Sequence, residues 1–278
     1  MSIFDNFHEL DKRITLEQGS KFSLILNLLL VKYEIRDAFC WIAPRFPKKE
    51  QYPKNDMHWS DFDIEIDGEK LWLKELKEIA ENLQLDMDMI SDSNSAHMEF
   101  NHELIKKKFQ LLSDSDIDEI ENKIFSDLTT FWIASKEKLN QIKNSSSLGN
   151  FTKSQFLNYP RCCGEWFVDS KTKFLIDSID EYYGTTDNFS KSNLINFSSQ
   201  NYRNSQNYNY EKRTNEMQSH ANKSNKQFPF VFHHACDDCM AESDSPTAKL
   251  NKKYENFAQT IDSELYQYLK KYSVDTNF

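Results

Sequence analysis

Four of the five cysteines stand in two tight pairs, Cys162-Cys163 and Cys236-Asp-Asp-Cys239, separated by a long polar stretch. Two histidines, His233 and His234, lie directly before the second pair. A two-residue gap between cysteines lets both thiolates turn toward one ion while the intervening amides support the sulfurs. Zinc takes four tetrahedral ligands of the nitrogen and sulfur type, and this chain offers six candidates. Successive side chains point apart, so one member of the vicinal pair is expected to reach the ion. The expected ligand set is Cys163, Cys236, Cys239 and either His234 or His233, with Cys162 as the alternative to Cys163. An ion held this way would pin the segment around residue 163 to the C-terminal helix, and a cross-link constrains most where it closes a long loop. The competing reading is that the cysteines are small core residues and the histidines simply end a strand.

If the ion kept one position open for water, the site would be catalytic. Cys163-Gly-Glu165 lies before a helix, and Cys236-x-x-Cys239 follows the apolar run Phe228–Phe232. That order resembles the zinc-dependent nucleoside and nucleobase deaminases. The resemblance implies Cys163, Cys236 and Cys239 as ligands and Glu165 as the acid/base for a zinc-bound water. Ala235 stands where that family has proline, and the resemblance covers about ten residues. A third reading makes Cys163 a nucleophile at a helix N-terminus, with His220, His233 or His234 as its base. It resembles the arrangement in papain-like hydrolases and transglutaminase-like folds, and leaves Cys236 and Cys239 unexplained.

The rest of the chain reads as mainly α-helical. Five glycines and six prolines in 278 residues are too few for an all-β fold with many tight turns. Helical periodicity covers 20–41, where Phe22, Leu26, Leu29, Leu30 and Tyr33 share a face. It returns over 69–83, 96–112 and 115–143, the last opening on a capping-box signal at Ser115 to Asp118. Phe62, Ile64 and Ile66 alternate before Asp67-Gly68, which predicts a short strand and a turn. Residues 144–150 read as a Ser/Asn linker between a helical region, 1–143, and the Cys/His region, 151–278, to which any further small sheet is assigned. Within the latter, a helix is expected over 166–183, a mobile polar insertion over about 185–227, and a final helix over 247–272.

Charge limits the partners. The net charge is −10, and no stretch is dense enough in Lys and Arg to reverse it, which argues against broad nucleic-acid binding. The apolar run Phe22–Val31 is about half the ~20 residues of a membrane span. Neither a secretory signal nor a disulfide framework is evident, so a cytoplasmic location is expected. The expected partner is another protein, contacted by a zinc-stapled, acidic helical surface. Two weaker clusters read as solvated surface: Asp56, His58, Trp59, Asp61 and Asp63, and His97, Glu99, His102 and Glu103.

Overall fold

A computed structural model describes residues 2–14, 18–44, 63–66, 69–90, 100–125, 128–144, 155–183, 192 and 210–272. The expected linker 145–150, the patch Asp56 to Asp61, His97 and Glu99 lie outside these residues, as does nearly all of the expected insertion before residue 210. Helix α1 (Ile3–Arg13) opens on a capping box in which Ser2 and Asp5 each accept the other's backbone N–H. Helix α2 (Gln18–Lys32) follows, and every residue from Phe22 to Val31 is buried. It stops earlier than its periodicity suggests. Glu34 adopts a left-handed conformation (φ 56°), and the N–H of Ile35 reaches back to the carbonyl of Leu30. This Schellman-type end is usually marked by glycine, and its absence hid the boundary.

The chain then enters strand β1 (Ala38–Pro44). Strands β2 (Asp63–Ile66) and β3 (Glu69–Trp72) form the antiparallel hairpin that the alternation around Ile64 suggested, with Asp63 opposite Trp72. Helix α3 (Leu73–Asn82) ends at a second left-handed non-glycine residue, Gln84, and leads into β4 (Asp86–Ile90). Helix α4 (His102–Lys108) is capped by Asn101.

The stretch read as one helix over 115–143 is three elements: α5 (Asp114–Phe125), β5 (Leu128–Ala134) and α6 (Lys136–Asn144). Leu-Thr-Thr-Phe-Trp-Ile-Ala is rich in β-branched and aromatic residues, which suit a pleated strand. β5 is the centre of the antiparallel sheet β1-β5-β4, and Phe131, Trp132, Ile133 and Ala134 are all buried. A strand covered on both faces loses its two-residue alternation and is easily mistaken for part of a helix.

The C-terminal half supplies α7 (Arg161–Tyr183), α8 (Tyr210–Gln227), the single turn α9 (Asp237–Ala241), α10 (Pro246–Ile261) and α11 (Ser263–Tyr272). Residues 210–227, read as part of the polar insertion, are therefore helical, with Ala221 and Ser224 buried. The final helix breaks at extended Asp262, whose carboxylate caps α11 by accepting the N–H groups of Glu264 and Leu265. The fold is mainly α, as read, but the three-stranded sheet is built from residues 38–134, not from the C-terminal region.

Phe228–Phe232 was read as strand-like; it forms a turn instead. Pro229 has no N–H to give a ladder, and the N–H of Phe230 bonds to Asn251 Oδ1 at 2.9 Å. Phe228, Phe230, Val231 and Phe232 are all buried, each worth about 1.5–3 kcal/mol of transfer free energy as an upper bound. They belong to the largest core cluster. This core joins α1 and α2 to α10 and α11, and Cys163, Cys236 and Cys239 are part of it. Among the described residues no helix is long and apolar enough to cross a membrane.

Candidate metal centre

Two helix starts meet at the cysteines. Pro160 precedes α7, and its carbonyl accepts the N–H groups of Cys163 and Gly164, so both cysteines lie in the first helical turn. Side chains one residue apart on a helix diverge by about 100°, not by the near-reversal of a strand, so both can face a point beside the turn. Cys236 is the N-cap of α9, and Cys239 sits three residues on. N-cap and third-residue side chains face each other in a capping box. Here the N-cap side chain makes no capping hydrogen bond, which leaves its sulfur to turn toward Cys163.

The four sulfurs form a compact cluster. Cys162 Sγ lies 4.0 Å from Cys163 Sγ and 3.5 Å from Cys239 Sγ. Cys163 Sγ lies 3.7 Å from Cys236 Sγ and 3.6 Å from Cys239 Sγ. All four lie within 4.8 Å of one another. A tetrahedron with Zn–S bonds of about 2.3 Å has S···S edges of about 3.8 Å. A disulfide needs about 2.05 Å, and all five cysteines are free thiols. The set therefore matches the donor number, type and spacing of a single tetrahedral ion. Cys163, Cys236 and Cys239 are buried, while Cys162 is half-buried.

Burial and hydrogen bonding divide the thiols. Burial pushes Cys162 up to about 11 and raises Cys163 as well. At Cys239 burial also pushes upward, but hydrogen bonds from Thr247 and from the thiols of Cys162 and Cys163 outweigh it and bring it down to about 7. Cys163 Sγ lies 3.4 Å from the backbone nitrogen of Cys236 and 3.2 Å from Thr247 Oγ1. Ser245 caps α10 and donates its hydroxyl to the carbonyl of Cys239, which fastens the second cysteine pair to that helix.

The residues expected beside the cysteines are elsewhere. The sequence reading put one vicinal cysteine and one histidine in the ligand set; the structure groups both Cys162 and Cys163, and neither His233 nor His234 belongs to the cluster. His233 Nε2 lies 3.1 Å from Thr247 Oγ1, and its ring packs against Tyr159. Burial, the guanidinium of Arg36 and the neighbouring His234 hold its imidazole down at about 3. His234 is lowered by burial and by His220. His220 stacks on Trp166 and pairs with the carbonyl of Ala235. Glu165 accepts from Arg161 Nε at 2.8 Å on the exposed side of α7. The fifth cysteine, Cys40, is buried on β1, where burial raises it to about 12.

Thr247 is the residue that sequence reasoning missed. A threonine at the second position of a helix carries no chemical signal by itself, and only the fold places it against Cys163. Comparison with protein-family models, with curated proteins and with solved structures finds no match to this chain, so the reading of this centre rests on its own geometry.

Proposed function

We propose that this protein is a non-enzymatic interaction module whose C-terminal region is held together by one structural zinc ion bound to Cys162, Cys163, Cys236 and Cys239. The observation that carries the reading is the four-sulfur cluster, with edges of 3.5 to 4.0 Å measured at four of its six pairs. Four protein ligands close the tetrahedron and leave no position for water, which is the mark of a structural site. The ion would join the start of α7 to the turn before α10 and so replace covalent cross-linking in a reducing, cytoplasmic setting. The partner would be another protein met through the acidic helical exterior, in keeping with the net charge of −10.

Two observations favour this over the enzymatic readings. The deaminase-like arrangement needs a water where Cys162 supplies a fourth sulfur, and it needs Glu165 at that water, whereas Glu165 is engaged by Arg161. A nucleophilic Cys163 needs a lowered pKa and a base, whereas burial raises this thiol, His220 is paired with the carbonyl of Ala235 and His233 with the hydroxyl of Thr247.

The test is the metal content of protein purified without added metal, for wild type and for a Cys236→Ser/Cys239→Ser double variant. One zinc per chain in wild type and none in the variant is expected. Iron at the same stoichiometry would keep the four-sulfur centre and change its occupant. Metal-free wild type that is folded and stays so would overturn the reading.

A further inference from the structure

Thr247 is fully buried at the second position of α10 and touches the cluster on one side and His233 on the other. Its hydroxyl oxygen lies 3.2 Å from Cys163 Sγ and 3.1 Å from His233 Nε2. A hydroxyl carries one proton and can accept through its lone pairs. A metal-bound thiolate has no proton to give. Granting the metal reading, on which this inference rests, the direction of both bonds is therefore fixed. Thr247 donates to the sulfur and accepts from His233 Nε2–H.

We propose that Thr247 and His233 form a buried outer-shell relay that positions Cys163 and draws charge from its thiolate in the metal centre. The surroundings fit this assignment. A neutral imidazole that donates through Nε2 carries its free lone pair on Nδ1, and Nδ1 is buried with no hydrogen-bond partner. The guanidinium of Arg36 disfavours a second positive charge on that ring. Arg36 is itself 2% exposed and is held by Asn27 Oδ1 and by the faces of Phe39, Tyr159 and Phe232 at 6.0, 5.6 and 5.2 Å. The phenol of Tyr159 packs on the His233 ring and donates to the carbonyl of Phe232 at 2.7 Å, which fixes the ring's tilt.

Four thiolates around a divalent ion leave a net charge of −2 in a buried place, and donors to sulfur are what disperse it. Cys163 receives two such donors, the Thr247 hydroxyl and the Cys236 N–H. Thr247 and His233 are thus positioning residues, and neither is a ligand.

The test uses the full chain loaded with cobalt(II), whose sulfur-to-metal charge-transfer band reports how strongly each thiolate holds its electrons. Thr247→Val keeps the side-chain shape and removes the donor. It is expected to move the band to lower energy and to weaken metal binding in chelator competition by about 10- to 100-fold, the range for lost outer-shell partners. Thr247→Ser should restore both. His233→Phe keeps a ring against Tyr159 and should shift the band in the same direction by less, which gives a readout if the valine variant does not fold. An unshifted band and unchanged affinity in Thr247→Val or, failing that, an unshifted band in His233→Phe, would overturn the relay while leaving the metal centre standing. Wild type that takes up no cobalt or zinc would overturn both.

Discussion

Among the described residues, two groups of side chains have the make-up of a metal site, and they differ in how their charge is met. The first is the cysteine cluster. The second is His102 with Asp118 and Glu121, between α4 and α5. The second group already contains its own cation. His102 Nδ1 lies 3.0 Å from Asp114, and its Nε2 lies 3.5 Å from Glu121 and 3.9 Å from Asp118. Glu121 is further committed by accepting the N–H of Phe100 at 2.6 Å, and Lys106 bridges Glu103 and Asp114. The hydrogen bond to Glu121, set against partial burial, raises His102 to about 9, so the ring is held as a cation that offsets part of the charge of its acids. The four cysteines have no such internal answer. Thiols are weak hydrogen-bond partners, and as thiolates they repel one another. Clustered ligand-type residues indicate a metal when the cluster cannot satisfy itself, and an ion-pair hub when it can.

The largest expected effect separates the two groups outright. Cys236→Ser/Cys239→Ser should lose its metal and on the order of 3 kcal/mol or more of stability, measured by denaturant unfolding. His102→Ala should retain full metal content. Loss of metal from His102→Ala would break the contrast.

A smaller effect is the pH dependence of the second group. His102 is charged up to about pH 9 when folded, but only up to about 6.5 when unfolded. Its stabilisation is therefore complete below pH 6.5 and is lost as the pH rises through 9. With the ring about a quarter exposed, the loss should be about 1–2 kcal/mol, and a His102→Gln variant should lack that part of the profile. A profile that His102→Gln leaves unchanged would mean the imidazole is not charged in the folded protein.

The smallest effect concerns Glu165, whose side chain is 52% exposed and paired with a 76% exposed Arg161. Glu165→Gln should keep its metal and change stability by less than about 0.5 kcal/mol. Metal loss in this variant would bring Glu165 back to the centre.

The sequence showed the sulfur pairs and the helical character, because both are local. Cys236-x-x-Cys239 is a spacing, and Leu26, Leu29 and Leu30 are a periodicity. The grouping of all four sulfurs was less legible, because whether Cys162 and Cys163 diverge depends on whether they lie on a strand or in a helical turn, and Pro160 starts the helix just before them. Helix ends were hidden for a related reason. The helix read over 20–41 stops at Lys32, where Glu34 takes the left-handed position that glycine usually announces. β5 was hidden because its burial on both faces erased the alternation that marks a strand. Thr247 could not be found at all without the fold, since its role lies entirely in what α10 brings it against.

The most direct test of the central claim is X-ray absorption at the metal edge of the purified protein. The account predicts one shell of four sulfurs at about 2.3 Å, with neither a nitrogen or oxygen ligand nor a second metal nearby. A shell of three sulfurs with one nitrogen or oxygen at about 2.0–2.1 Å would contradict it, and would return either a histidine or a water to the fourth position.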